Sequence, residues 1–142
     1  NTKGKMLQDI TVALGGRVAE EEVFDDITTG ASQDIKQATG LAKSMVTKFG
    51  MSEAVGLVNY DNDSDEVFIG RDLAHTSRGY GESMATVIDS EVKRIIDECY
   101  SRARSIIKEH EDVLHACANL LLEKEKITRE EFEALFEKRE DV

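Results

Sequence analysis

Hydrophobic residues recur at three- and four-residue steps along most of the chain, a pattern typical of amphipathic helices. The pattern predicts helices at residues 5–24, 32–49, 83–110, 111–125 and 128–138, followed by a polar tail at 139–142. The chain contains no proline, the residue that most strongly interrupts helices. We therefore expect a mainly α fold, with the whole chain, 1–142, forming one domain.

Residues 51–80 break the helical pattern. Two short β-prone runs, at 55–60 and 67–69, flank the acidic stretch at 61–66. Such runs around a polar connection predict a small β-hairpin or loop excursion near 54–70. The expected fold class is thus a helical bundle with this one excursion.

The second predicted helix contains an unusual charge. Ser32 is its predicted N-cap and Gly50 its C-terminal stop. The apolar arc of this helix comprises Ile35, Ala38, Leu41, Ala42, Met45, Val46 and Phe49. At about 100° per residue, Asp34 falls inside that arc and is the only charged residue there.

Asp34 has two interpretations at this point. A carboxylate on an apolar face is costly unless it is paired or bound to a metal. In the first turn of a helix, however, a carboxylate also favours the positive end of the helix dipole and can simply face water. Position alone leaves both interpretations open.

The charge balance limits the classes of partner. The net charge is −11, from 29 acidic and 18 basic residues. We therefore expect no nucleic-acid partner and no membrane contact by this chain. No apolar run approaches the ~20 residues that span a bilayer. Cys99 and Cys117 are expected to be reduced, buried thiols.

The histidines do not form a recognisable zinc pair. His110 is followed by a glutamate, but the next histidine, His115, lies five positions on instead of four. That spacing turns the second imidazole roughly 140° around a helix from the first. No phosphate-binding G-x-x-x-x-G-K-[ST] loop is present either.

Residues 61–65 resemble the start of a calcium-binding loop, with aspartates at alternate positions. The sixth position should be glycine and is Glu66, and the twelfth should be a bidentate glutamate and is Asp72. Flanking helices are also lacking in the prediction. These departures argue against a calcium site.

Several segments together resemble one known family. They are A-L-G-G-R-V-A-E-E at 13–21, T-T-G-A-S-Q-D-I-K-Q-A-T at 28–39, M-V-T-K-F-G-M-S at 45–52, V-F-I-G-R at 67–71 and I-D-S-E-V-K-R-I-I at 88–96. In this order they resemble the peptidase domain of FtsH-type, membrane-bound, ATP-dependent zinc metalloproteases. The resemblance implies a protease in which Asp34 occupies the position of the third zinc ligand.

The rest of the family's zinc site is not in this sequence. The resemblance places two histidine ligands and the catalytic glutamate on an H-E-x-x-H helix before residue 13, and the chain contains no such motif. The first residue is Asn1, not Met, so we expect the chain to be the C-terminal part of the peptidase domain. On its own it is expected to contain no catalytic residue, to bind zinc weakly and to be inactive.

The resemblance also implies properties of a longer parent protein. It implies an ATPase module that binds ATP, a homohexamer, and anchoring in the cell (inner) membrane with this domain on the cytoplasmic side. The substrates it implies are unfolded or membrane proteins, degraded processively. Two alternatives stay open: a non-catalytic helical scaffold or oligomerisation module, and an acidic calcium-binding domain that rests on residues 61–65 alone.

Overall fold

The computed structural model describes residues 1–61 and 80–140, with side chains described as far as residue 137. Its α-helices are α1 (Lys3–Phe24), α2 (Ser32–Thr47), α3 (Glu82–Glu109), α4 (Glu111–Lys124) and α5 (Arg129–Glu140). A 3₁₀ turn, Thr29–Ala31, precedes α2. The mainly α prediction is confirmed. The helix α5 runs through Glu140, so positions 139 and 140, predicted as tail, are helical.

The core lies among the first three helices. Helix α1 packs against both α2 and α3, which also contact each other. One face of α1 contributes Met6, Ile10 and Leu14, and α3 contributes Ile88, Ile95 and Cys99. The alanines of α2, Ala38 and Ala42, are completely buried, and such small side chains let helix backbones approach closely.

Some residues at the ends of the predicted apolar stripes are exposed. Phe49, the last residue of the predicted apolar arc, lies beyond the end of α2 and is 49% exposed. Periodicity shows which face of a helix is apolar, but not how far the partner helix extends along it. The glycine pair Gly15-Gly16 lies inside α1, and a Cβ at either position would meet no atom within 4 Å among the described residues outside its own stretch of helix backbone.

The segment after α2 forms an irregular loop. Gly50 has a positive φ of 63°, as its predicted stop role requires, and the Met51 N–H donates to the carbonyl of Met45 at 2.9 Å. Ser52 attaches the loop to α3 by donating its hydroxyl to Glu91 Oε1 at 2.5 Å. The part of the predicted β excursion at 54–61 contains no strand. Its remainder, at 62–70, lies outside the described residues.

Helices α4 and α5 form a separate hairpin beside this core. The N-terminus of α5 has a reciprocal capping box, in which the Glu131 N–H donates to Thr128 Oγ1 at 3.1 Å and the Thr128 N–H donates to Glu131 Oε1 at 3.2 Å. The Phe136 ring meets the His110 ring edge-on, with centroids 5.2 Å apart. The hairpin therefore folds back onto the α3–α4 junction.

Two further expectations concern thiols and membranes. Cys99 is a buried free thiol and Cys117 a half-buried one, so they form no disulfide with each other. Within residues 1–61 and 80–140, every helix is too short or too polar to cross a bilayer.

Candidate functional site around Asp34

The chain makes a sharp turn between α1 and α2. Asp25 ends α1 in the left-handed region, with φ 52°. Asp26 then accepts a hydrogen bond from the Ile27 N–H at 2.8 Å. Asp and Asn tolerate such backbone conformations better than most residues and bond readily to nearby N–H groups. Thr28 is extended, with φ −123° and ψ 176°, and starts the 3₁₀ turn.

Thr28, not Ser32, provides the side-chain cap of this helical stretch. The Thr28 Oγ1 accepts a hydrogen bond from the Gly30 N–H at 3.1 Å. Ser32 is already helical, with φ −60° and ψ −39°, and Ala31 precedes α2 without any side-chain cap. The prediction of Ser32 as N-cap is therefore wrong, because the 3₁₀ turn extends the helical stretch toward Thr28 and moves the capping position with it.

One turn of α1 holds Thr28 through three hydrogen bonds. Both carboxylate oxygens of Glu20 accept from Thr28, Oε1 from the hydroxyl at 2.7 Å and Oε2 from the N–H at 3.2 Å. The Arg17 guanidinium donates from Nη2 to the Thr28 carbonyl at 3.3 Å. Its Nε is buried and has no hydrogen-bond acceptor among the described residues. These bonds lower the pKa of the Glu20 carboxyl below its usual range, the Thr28 hydroxyl contributing most.

Asp34 lies in the first turn of α2, six residues after Thr28. Its side chain is half-buried, whereas the neighbouring Ile35 is 37% exposed. Ala31 and Ala38, which lie one helical turn before and after Asp34, are both buried. Asp34 is thus the least exposed residue between these two alanines.

The carboxylate of Asp34 makes no hydrogen bond or ion pair with any residue in the described ranges. The same ranges bring no three histidine, cysteine, aspartate or glutamate side chains together around a common point. A single free carboxylate suits one coordination position of a zinc ion. The described residues therefore fit one ligand of a zinc site and not the whole site.

The other sequence candidates lie away from this region. His110 caps α3 and packs on Phe136, and His115 Nε2 is 3.9 Å from the Glu111 carboxylate of the preceding turn. Of the three aspartates that suggested calcium, only Asp61 is described, and its N–H donates to Asn59 Oδ1 at 2.8 Å. The other two, and His75, lie outside the described residues.

A comparison with known protein families shows which family the chain belongs to. Residues 1–135 match the family described as Peptidase family M41. The chain belongs to peptidase family M41. The predicted resemblance to FtsH-type zinc metalloproteases is thereby confirmed.

Named relatives agree with this membership. The chain is 52% identical over 135 residues to the ATP-dependent zinc metalloprotease FtsH 1 of Thermoanaerobacter sp. (strain X514), covering 95% of this chain and 22% of that protein. It is 51% identical over 134 residues to the FtsH of Caldicellulosiruptor bescii, covering 94% and 22% respectively. For the FtsH of Ruminiclostridium cellulolyticum, the identity is 48% over 137 residues, with coverage of 96% and 22%. The chain thus spans about a fifth of the length of these M41 relatives.

Three residues without a predicted role lie in segments that carry the family resemblance: Arg17, Glu20 and Thr28. A sequence signal for part of this arrangement exists. Arg17 and Glu20 are three residues apart and so share a face of α1, and a threonine two residues before a glycine is typical of a hydroxyl-capped turn. Their contact across the α1–α2 turn depends on tertiary structure.

Proposed function

We propose that this chain is the C-terminal part of the zinc metallopeptidase domain of an ATP-dependent endopeptidase, and that Asp34 is one of its zinc ligands. The observation that carries the proposal is a half-buried carboxylate that lacks a partner among the described residues and lies in the family's T-T-G-A-S-Q-D segment. The names of the relatives, ATP-dependent zinc metalloprotease, support the reaction class.

Within such a site Asp34 would supply an anionic oxygen donor from a rigid helical position. A catalytic zinc, when bound, polarises the scissile carbonyl and lowers the pKa of water to about 7. Three protein ligands are usual for a catalytic zinc, and the described residues offer one. We therefore propose that the two histidine ligands and the glutamate base belong to an H-E-x-x-H helix elsewhere in the whole protein, and that the 142-residue chain alone is inactive.

The family also suggests how the whole protein works. We propose a homohexamer anchored in the cell membrane, with this domain on the cytoplasmic side, in which an ATPase module binds ATP and delivers unfolded or membrane proteins to the peptidase site. In this arrangement α3, α4 and α5 serve as scaffold and as contacts between subunits. The fold is consistent with that division, because among the described elements the 3₁₀ turn that leads to Asp34 contacts α1 and α2.

The coding sequence upstream of residue 1 tests the assignment. It should encode an H-E-x-x-H motif, and before that motif a P-loop ATPase module. The full-length protein should then degrade an unfolded protein only when both ATP and zinc are supplied. An upstream region without H-E-x-x-H would instead support the alternative, a non-catalytic helical scaffold, and would leave Asp34 as a helix-dipole charge.

A further inference from the structure

We propose that an apolar projection on one copy of this chain, formed by Phe49 and Leu57, inserts into the groove between α4 and α5 of the next copy. The inference rests on the homohexamer of the proposed function and names two surfaces through which its subunits meet. Its support is that the chain exposes an apolar projection and an apolar groove, at opposite ends of α3 and with opposite charges beside them.

The projection lies on the loop that follows α2. Leu57 is 92% exposed, although leucine is among the most often buried residues, and Phe49 is about half exposed. The Leu57 side chain lies across Gly50, because a Cβ on Gly50 would be only 2.9 Å from Leu57 Cδ2. The loop returns to α2 where the Tyr60 N–H donates to the Thr47 carbonyl at 2.7 Å. The projection is therefore held in one place, which lowers the entropy that binding costs.

Two lysines stand beside the projection. The Lys48 Nζ lies 5.5 Å from the centre of the Phe49 ring. Lys3 borders the crevice next to Leu57, where Glu53 is an acidic neighbour. Two cations and one carboxylate thus lie beside this apolar surface, on a chain whose net charge is −11.

The groove lies along the hairpin formed by α4 and α5. Its volume is about 490 Å³, and the apolar side chains of its lining are Ala116, Leu120, Ala134 and Leu135. That volume is within the range that holds a small ligand, so it accommodates one or two large apolar side chains. The hairpin has little core of its own, because Val113 is its one buried residue among those described as far as 137. Insertion of an apolar side chain supplies burial that the hairpin lacks.

Acidic side chains predominate around the groove. Glu123 and Glu131 line it, and residues 111–137 contain eight acidic and three basic side chains. Lys124 also lines it and is paired with Glu131 at 2.6 Å, so its charge is already balanced within the hairpin. Copies with the same net charge repel one another overall, so a local match between lysines and glutamates determines which surfaces meet.

The projection and the groove cannot meet within one copy. The loop is tied to α3 at Glu91 by the Ser52 hydroxyl, whereas the hairpin begins beyond Glu109, where α3 ends. The stretch of α3 from Glu91 to Glu109 spans roughly 27 Å, which is longer than any side chain. The contact therefore joins two copies through two different surfaces. Contacts of this heterologous kind close into rings, as a cyclic hexamer requires, whereas a contact between identical surfaces ends at a dimer.

Cross-linking in the full-length protein that carries this chain tests the contact. Leu57→Cys places a thiol on the projection, and Asn119→Cys places one at an exposed position of the groove lining. Cys117 and any accessible cysteine outside residues 1–142 are first replaced by serine, because they would react as well. A short bismaleimide should convert the double variant into a ladder of cross-linked subunits up to the hexamer on a denaturing gel. Each single variant should give no ladder.

Val12→Cys combined with Asn119→Cys is the matched control. Val12 is 78% exposed on α1, so its replacement is similarly accessible to the reagent but lies outside the projection. This pair should give no ladder. A ladder of equal yield in the control would overturn the inference. The same holds if the double variant of Leu57 and Asn119 gives no cross-link, or none beyond the dimer.

A charge reversal tests the complementarity in the same assay. Lys48→Glu should lower the yield of the ladder about two- to fivefold, and the further change Glu123→Lys should restore it. A yield that does not change in Lys48→Glu would overturn the match of charges on which the docking rests.

The mass of the full-length protein before cross-linking separates the two proposals. A hexamer whose double variant gives no ladder leaves the homohexamer standing and shows that the projection does not dock in the groove. A monomer overturns the homohexamer, and the inference fails with it. Leu57 and Asn119 are both exposed, so the helix content of the double variant, measured by circular dichroism, should equal that of the wild type.

Discussion

Glu20 on α1 binds Thr28 with both carboxylate oxygens, at 2.7 Å to the hydroxyl and 3.2 Å to the N–H. This pair joins two sequence segments that carry the family resemblance and that are separated by a left-handed turn at Asp25. It places the 3₁₀ turn, and behind it the first turn of α2, against α1. The carboxylate of Asp34, which has no partner within residues 1–61 and 80–137, thus lies on a helix that is held at its start by polar contacts and along its length by buried alanines.

The core packing predicts a contrast between two neighbouring residues of α1. Ile10 is fully buried, so Ile10→Ala should lower the free energy of unfolding of the 142-residue chain by about 2–5 kcal/mol. Val12 is 78% exposed on the other side of α1, and Val12→Ala should change it by no more than about 0.5 kcal/mol. Urea unfolding followed by circular dichroism measures both. Equal effects would show that α1 is packed differently.

The glycine pair in α1 predicts a stabilising substitution. A Cβ added at Gly15 or Gly16 would meet no atom within 4 Å among the described residues. Gly16→Ala should therefore stabilise the isolated chain by about 0.5–1 kcal/mol, because alanine loses less backbone entropy in a helix. Differential scanning calorimetry should show a higher midpoint. Gly30→Ala is the contrasting variant and should lower the midpoint, because its Cβ would lie only 3.2 Å from Thr28 Oγ1, which hydrogen bonds hold in place.

The Ser52–Glu91 contact predicts a dependence of stability on pH. The Arg94 guanidinium and then the Ser52 hydroxyl lower the pKa of the Glu91 carboxyl below its usual value of 4.5. A carboxyl whose pKa is lower in the folded state stabilises the fold above its unfolded pKa, and this contribution is lost as the pH falls through the folded pKa.

Urea midpoints of wild type and Glu91→Gln, measured from pH 7 to pH 3, test this directly. The wild type should be the more stable at pH 7, and the difference should shrink below about pH 4.5. Glu98→Gln controls for a general loss of negative charge. Glu98 pairs with Arg94 at 2.8 Å, as Glu91 does, but does not contact Ser52. A difference that stays constant over this pH range would contradict the assignment.

The sequence predicted the helical architecture well because apolar spacing is a local property. The arc with Ala38 and Met45 lies on the buried side of α2, and Gly50 stops the helical region as expected. The errors arise where tertiary structure overrides local pattern. The side-chain cap is Thr28 and not Ser32, and Phe49 is exposed because it lies beyond the end of α2. In the described part of the predicted β excursion, at 54–61, the chain forms a loop.

The candidate site was predictable in part. A charge on an apolar helical face identified Asp34 from the sequence alone, and the family resemblance gave that charge a chemical role. The hydrogen bonds between Thr28 and the side chains of Arg17 and Glu20 were not predicted, because they depend on how the chain reverses direction after Asp25. The residues that the structure describes bring no three metal-ligating side chains together, so the remaining ligands of a zinc site could not be derived from them.

The zinc content of the full-length protein, compared between Asp34→Asn and Asp97→Asn, tests the central claim most directly. Asp97 is an exposed partner of Lys93 on α3 and controls for the loss of one carboxylate. We expect about one zinc per subunit in the wild type and in Asp97→Asn, and a large loss of zinc and of proteolysis in Asp34→Asn with helix content unchanged. Full zinc occupancy and full proteolysis in Asp34→Asn would contradict the account.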